Sequence, residues 1–384
     1  MKLFYEWGTT QLQKYGEELC GDNVAIASHS DYVTLALSDG LGSGVKANIL
    51  SILTNRIVMH LMENKLPLSE VVETLGKTLP VCDVRKLAYS TFAIGQFFSD
   101  GRTRVVEFDT PPVILLRQRK FVPVPFEERQ IEGKTIRESE LQLKMGDWIV
   151  FVSDGVVNAG IGGRYPLGWG LDKIARFLEQ HSHPDLSAQQ LADKLGQAVE
   201  DLYCNKPGDD VSIAVIKARH KLVATVLTGP PKDVSADETV VTRFKQRHGL
   251  LAVCGGTTAK IVARYLGDDS LQVDLDTAKP DVPPLARMEG IDLTTEGILT
   301  LTKANDLLHS GADKDTVKFG TDGASALVRL CLNVDHIHFI VGLSVNPAHQ
   351  NPELPRQLGM KLAIVREIAE ELRKRSKKVT IETV

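Results

Sequence analysis

Cysteine is sparse in this sequence: Cys20, Cys82, Cys204, Cys254 and Cys331 are spread over 384 residues. No two of them form a C-x-x-C pair and their number is odd. That argues against a disulfide framework and against a thiolate zinc site, and a reducing cytoplasm is the expected setting. No uncharged apolar run approaches the roughly 20 residues that cross a bilayer, so no membrane partner is expected. Met1-Lys2-Leu3-Phe4-Tyr5-Glu6 meets a carboxylate before the apolar core of a signal peptide could develop. A basic excess is also missing. Lys and Arg number 45 against 49 Asp and Glu, a net charge of −4. A nucleic-acid partner is therefore not expected, because wrapping a phosphate backbone needs that excess. Internal repeats and low-complexity tracts are absent. What remains is ordinary globular material, 43% hydrophobic and 24% charged, which excludes global disorder. A mass of 42.1 kDa suits two domains.

Two nearly continuous apolar runs read as strands buried on both faces. One is Tyr32-Val33-Thr34-Leu35-Ala36-Leu37, ending at Ser38-Asp39-Gly40. The other is Trp148-Ile149-Val150-Phe151-Val152, ending at Ser153-Asp154-Gly155. Helical spacing follows over residues 45–62, over 68–79 up to Pro80, and over 170–180 and 186–203. Residues 211–216 form one more strand. The pattern predicts helices covering a sheet sandwich rather than regular βαβ alternation. A charged segment at 217–221 marks a boundary, giving domains at 1–218 and 222–384. The second reads as a smaller α/β domain. It has strands at 223–227, 250–253 and 336–341, and helices from the Gly255-Gly256 turn to Leu266, over 295–308 and over 361–374, with Gly267 as a C-cap.

The chemistry-bearing residues lie in the first half. Asp22 in Gly21-Asp22-Asn23, Asp39, Asp154 and Asp209 in Gly208-Asp209-Asp210 all sit in turns beside apolar strands. A strand end holds a carboxylate at a sheet rim, and a following glycine lets the chain turn sharply there. Each Asp taken alone reads more readily as a turn residue that caps backbone N–H groups. Together they form a hard-oxygen set with neither Cys nor paired His, which favours Mg²⁺ or Mn²⁺ over Zn²⁺. Converging like charges also resist ionising together without a cation.

In order and spacing, Gly21-Asp22-Asn23, Leu37-Ser38-Asp39-Gly40-Leu41-Gly42-Ser43-Gly44, Phe151-Val152-Ser153-Asp154-Gly155-Val156 and Gly208-Asp209-Asp210-Val211-Ser212 resemble the type 2C (PPM) metal-dependent protein phosphatases. The likeness is to the bacterial branch of the sporulation stage II protein E kind. Thr91-Phe92-Ala93-Ile94-Gly95 and Asp109-Thr110-Pro111-Pro112 match that branch's central strand and proline turn. The resemblance covers roughly residues 1–218. It implies an αββα sandwich with two divalent ions, Mn²⁺ or Mg²⁺, at one edge. Asp39 would bridge both ions and the Gly40 carbonyl would bind one. Asp154 would share an ion with the Asp209-Asp210 pair, Asp209 being the preferred ligand. Asp22 would approach the other ion directly or through water, which makes Asp22 and Asp39 the expected catalytic residues.

The implied activity is hydrolysis of phosphoserine or phosphothreonine in a signalling protein, an anti-sigma-factor antagonist being one such substrate class. It needs no covalent phosphoenzyme. Ser38 and Ser153 are expected to orient the carboxylates. The helix over 45–62 would gate metal binding, and homodimerisation stays open. One departure stands out. The first arginine is Arg56, so the upstream phosphate-clamping arginine of eukaryotic-type members is missing, with Lys14 and Lys46 as candidate substitutes. The competing reading is a non-catalytic signalling or ligand-binding protein that keeps the fold.

In the second half, Cys254-Gly255-Gly256-Thr257-Thr258 joins a strand to a helix. Backbone N–H groups there favour anions, so Gly255, Gly256, Thr257 and Thr258 are candidate ligand-binding residues. The segment is neither a Walker A nor a G-x-G-x-x-G motif, and Thr257 could simply cap the helix. Thr294-Thr295-Glu296-Gly297 is a second such turn. His336 and His338 share a strand face, as a metal pair or as satisfied core histidines. Arg373-Lys374-Arg375 with Lys377 and Lys378 reads as solvated surface at a helix C-terminus.

Overall fold

The computed structural model describes residues 2–29, 31–78, 90–131, 133–267, 271–274, 285–344 and 357–384. Cys82, Leu79 and Pro80 lie outside the described residues; the other four cysteines are free thiols. The chain forms two compact units, Met1–His220 and Lys221–Val384. Among the described residues no helix is long and apolar enough to cross a membrane.

The first unit opens with β1 (Phe4–Leu12), β2 (Asp22–Ser28) and β3 (Tyr32–Gly40), then α1 (Gly44–Glu63) and α2 (Leu68–Thr78). Next come β4 (Ser90–Phe98), β5 (Arg102–Phe108), β6 (Ile114–Arg117), β7 (Lys120–Val122), β8 (Glu127–Ile131), β9 (Lys134–Gln142) and β10 (Trp148–Val152). The one-turn helix α3 (Asp154–Val157), the pair α4 (Leu171–His181) and α5 (Ala188–Leu202), and β11 (Val211–Arg219) close it. Two antiparallel sheets result, β1-β11-β10-β6-β7 and β2-β3-β4-β5-β9-β8.

Side-chain alternation sets the layers. Along β10, Trp148, Val150 and Val152 pack with Leu178, Leu191 and Leu195 of α4 and α5. Ile149 and Phe151 point the other way, onto Leu35, Leu37 and Phe97 of the second sheet. On the far side of that sheet, Ala36, Phe92 and Ile94 meet Val58 and Met62 of α1 and Val72 and Leu75 of α2. This is the expected helix–sheet–sheet–helix sandwich. Because β3, β4, β10 and β11 are covered on both faces, apolar residues occupy both sides of each strand, most continuously in β10.

Helix α5 carries a reciprocal cap: the Ser187 hydroxyl accepts from Gln190 N at 3.1 Å, and Gln190 Oε1 accepts from Ser187 N at 2.9 Å. Ser187→Ala should lower unfolding stability by about 1 kcal/mol. Urea denaturation checks this, and an unchanged midpoint would contradict it.

The second unit runs β12 (Val223–Thr228), a 3₁₀ turn (Val234–Ala236), α6 (Asp237–Lys245), β13 (Leu250–Cys254), α7 (Gly256–Leu266), β14 (Gln272–Asp274), β15 (Leu285–Met288) and β16 (Ile291–Thr295). It continues with α8 (Ile298–His309), α9 (Gly323–Asn333), β17 (His336–Val341), α10 (Gln357–Lys374) and β18 (Lys378–Thr383). Its sheet has the order β14-β15-β16-β13-β12-β17-β18, and the five strands from β16 to β18 are parallel. Val240 and Phe244 of α6 and Val262 of α7 cover one face; Leu301, Leu327 and Val365 of α8, α9 and α10 cover the other. From β12 the chain first builds outward to β13 and β16, then returns to build β17 and β18 on the opposite side.

Several expectations for this unit need correction. The helix expected from residue 295 starts at Ile298, because Thr294 and Thr295 end strand β16. Thr257 is not a cap: Gly255 is the N-cap of α7, and Thr257 is exposed inside the first turn. The basic tail is not merely solvated. Arg375 donates to the carbonyls of Leu308 and Ala312, and Lys377 to those of Leu332 and Val334, so these cations satisfy carbonyls left open at the ends of α8 and α9. The final strand β18 was not foreseen. His336 and His338 both lie against the Thr380 hydroxyl, at 3.1 and 2.7 Å, and His338 Nε2 is 3.2 Å from Glu382.

Candidate active site

Strand pairing builds half of the acidic site. In the β2–β3 ladder Asp22 stands directly opposite Asp39, and Gly40 N donates to Gly21 O at 3.3 Å. The other half comes from the opposing sheet, where Asp154 follows β10 and Asp209-Asp210 precede β11. Ser153 N donates to Ser212 O at 2.9 Å, and Ser212 N donates to the Ser153 hydroxyl at 2.8 Å. Gln11 of β1 donates through Nε2 both to Ser212 Oγ at 2.8 Å and to Asp22 O at 3.3 Å, and the Ser153 and Ser212 hydroxyls lie near enough to favour the ionised Asp22 carboxyl. The two sheets are thus tied together at the residue where the acidic groups converge.

Three glycines permit this approach. A Cβ on Gly40 would overlap the Ala47 carbonyl of α1, one on Gly155 would overlap the Asp210 carbonyl, and one on Gly21 would lie 2.8 Å from Asp210 Oδ2. All three positions are limited by close packing of other chain segments.

The structure brings together all five expected aspartates. Asp22 is 2% and Asp210 4% exposed, whereas Asp154 and Asp209 line the open rim. Burial, then the charges of Asp22, Asp154 and Asp209, hold the Asp39 carboxyl well above the usual carboxylate range. Burial also raises Asp22, against the hydroxyls of Ser153 and Ser212 and with the charges of Asp210 and Asp154. Asp154, at the rim, is raised by partial desolvation and by the Asp209 charge. This is the response of like charges that share one site.

Asp209 and Asp210 have different surroundings. Asp210 is fastened inside, its Oδ1 accepting Lys14 N at 2.9 Å. Asp209 faces the rim, with Oδ1 3.9 Å from Lys14 Nζ.

Sequence reasoning missed several supporting groups. Asn55 of α1 donates to Asn23 O, Asn23 Oδ1 and Ala36 O and accepts from Ser38 Oγ at 2.6 Å. Ser38 therefore fastens α1 instead of orienting a carboxylate, because it points to the helix side of β3. Tyr203 Oη donates to the Gly155 carbonyl at 2.8 Å, and Gln11 Nε2 to Ser212 Oγ at 2.8 Å. Asp109, held at a φ of 49° in the turn before Pro111, adds its charge to Asp154. Only that left-handed Asp before a Pro-Pro turn left a signal in the sequence. Lys46 is exposed on α1.

Oxygen donors alone, crowded like charges and a buried Asp22 Oδ2 without a hydrogen-bond partner all fit a hard divalent cation. Among the described residues, no three Asp, Glu, His or Cys side chains are already arranged to hold one ion.

Residues 29–219 match the family model for stage II sporulation protein E (SpoIIE). This segment is a SpoIIE-family domain. The match begins after Asp22 and ends at the close of β11, so it leaves the second unit unmatched. The PP2C phosphatase domain of SpoIIE from Bacillus subtilis, solved with a fragment of its regulatory domain, is similar at 19% identity and a TM-score of 0.50. The alignment covers 57% of this chain and 64% of that one, so the chain spans less than two thirds of that structure. A second crystal form of the Bacillus subtilis SpoIIE phosphatase domain aligns at 19% identity, TM-score 0.46, over 57% of this chain and 94% of that one. RsbX, solved in complex with magnesium, aligns at 17% identity, TM-score 0.42, over 56% and 95%. No curated protein matches the chain. The SpoIIE-type domain thus has the PP2C phosphatase fold, with its five aspartates at the sheet edge.

In the second unit, Gly255 (φ 134°) abuts Gly297, and its N–H donates to Thr295 O at 2.9 Å. Gly256 faces open space, Thr257 is exposed, and Thr258 is buried under Gly255. The Gly255 and Gly297 turns therefore face each other.

Proposed function

We propose that the SpoIIE-type domain is a metal-dependent phosphoserine/phosphothreonine protein phosphatase in a signalling pathway. The supporting observation is the convergence of Asp22, Asp39, Asp154 and Asp209 from two sheets, with one buried Asp22 oxygen left unpartnered. Asp39, the Gly40 carbonyl, Asp154 and Asp209 would hold two Mn²⁺ or Mg²⁺ ions, with Asp22 approaching from the buried side. When bound, such ions make solvent nucleophilic near neutral pH and draw charge from a phosphoryl oxygen. The chain's own contribution is placement. Gln11 ties the Asp22 backbone to Ser212, Asp210 anchors the loop after β1 through Lys14 N, and Tyr203 fixes Gly155. The substrate class we favour is a phosphorylated regulator such as an anti-sigma-factor antagonist.

The test is Mn²⁺-dependent hydrolysis of a phenyl phosphate, followed by release of phosphate from such a phosphoprotein. Absence of both with either metal would favour the second reading, a signalling protein that retains the fold without catalysis. The lack of a ready three-ligand arrangement among the described residues is the observation on its side.

Lys14 stands in for the missing arginine, since its Nζ lies at the exposed rim beside Asp209. Lys14→Met should raise KM for a phosphorylated substrate about tenfold, the equivalent of one charge-assisted hydrogen bond, and change kcat less. Steady-state kinetics decides, and an unchanged KM would remove Lys14 from the phosphate site.

A further inference from the structure

The second unit has its own place for chemistry. In a parallel sheet flanked by helices, ligands enter beyond the carboxyl ends of the strands, where the strand order reverses. Here the reversal lies between β12, whose sequence neighbour is β13, and β17 on its other side. Register pairing aligns Val341, Thr228, Cys254 and Thr295 as one row across β17, β12, β13 and β16. Glycine follows directly in three of the four strands, as Gly342, Gly229 and Gly255, and one residue later in the fourth, as Gly297. The rim beyond that row is therefore almost bare backbone. At the reversal point the turns touch: a Cβ on Gly229 (φ 80°) would lie 2.7 Å from Gly342 O, and Gly342 N donates to Thr228 O at 2.8 Å.

Two polar groups at this point have no explained task. Lys361 of α10 reaches over Gly229, its Cδ 3.3 Å from the place of the absent Cβ and its ammonium nearer still. It has no hydrogen-bond or ion-pair partner among the described residues, and burial holds its amine below the usual lysine value. The Thr228 hydroxyl is the second. Thr228 is 0% exposed, its Oγ1 has no partner, and it alternates with Ala224 and Val226 onto the face that α10 covers. A half-buried cation with no counter-charge among the described residues, near an orphaned buried hydroxyl, is costly unless something anionic meets them.

We propose that this crevice binds the phosphoryl group of a small phosphate ester, with Lys361 as its cationic contact and Thr228 as a hydroxyl donor. A phosphoryl group uses both, accepting from the ammonium and from the hydroxyl, while the glycines let the two turns pack closely enough to bring Lys361 over the strand end. This site is independent of the phosphatase reading of the first unit.

The experiment uses the full chain in EDTA, titrated calorimetrically with inorganic phosphate, a nucleoside monophosphate and a hexose phosphate. The same titrations in an Asp39→Asn background separate out phosphate held by the first unit's acidic site. At least one of the three ligands is expected to bind, and the arms show whether phosphate alone suffices or the nucleoside or sugar adds affinity. Lys361→Met should weaken binding about tenfold or more and Thr228→Val by a smaller factor. Lys361→Met should not lower the melting temperature of the unliganded protein, whereas a purely structural lysine would. Lys361→Gln serves as the second variant if the methionine folds poorly. No uptake of any of the three at millimolar concentration, or undiminished binding by both Lys361 variants, overturns the proposal.

Discussion

Asp39→Asn is expected to abolish metal-dependent phosphoester hydrolysis while leaving the sandwich folded. Asp39 is the one carboxylate that feels the charges of Asp22, Asp154 and Asp209 together, so it sits where contributions from both sheets meet. Asparagine keeps its shape and its place opposite Asp22 but removes the negative charge that would hold a cation. Loss should exceed the roughly 10–100-fold typical of residues that only support a metal ligand. A readout apart from turnover is available. A cation that binds only the folded chain raises its melting temperature with concentration. Wild type should show that rise with Mn²⁺, and Asp39→Asn should not. Equal hydrolysis rates, or equal metal-induced shifts, would show that the acidic cluster is not the metal site.

The acidic half of this arrangement was legible because it depends on strand ends. Ser38-Asp39-Gly40 and Ser153-Asp154-Gly155 each close a continuously apolar run, and such a run announces a strand covered on both faces. The layers followed from the same runs. The hidden part is whatever long-range packing decides. Ser38 and Ser153 look alike in sequence, yet Ser38 faces α1 and bonds Asn55, while Ser153 faces Asp22 and Ser212. Only the register of two different sheets separates their roles. Likewise Arg375 and Lys377 look like a solvated tail, because nothing local says that the carbonyl ends of α8 and α9 will arrive beneath them. Strand β18 escaped notice for a related reason: Lys-Val-Thr-Ile-Glu-Thr alternates, and its polar face becomes the partner of His336 and His338.

Gly40→Ala should disable the site without touching a carboxylate. The position needs glycine for proximity: the φ of Gly40 is not left-handed, but the Ala47 carbonyl carbon of α1 lies 2.6 Å from where a Cβ would go, with the carbonyl oxygen closer still. Backbone cannot rotate away as a side chain can, so α1 has to shift. That shift pulls on the Asn55 bonds to Asn23, Ala36 and Ser38, and so on both strands that carry Asp22 and Asp39. Overpacking of this kind costs about 1–3 kcal/mol. The expected result is a lower melting temperature, a weakened Mn²⁺-induced shift and a loss of activity comparable to that of Asp39→Asn. The double variant Gly40→Ala with Ala47→Gly provides the discriminating control. Because the obstruction is the Ala47 main chain, removing the Ala47 methyl should restore nothing. Recovery of activity in the double variant would mean that α1 can yield at this point, and that the fixed distance between helix and metal loop is not what the site requires.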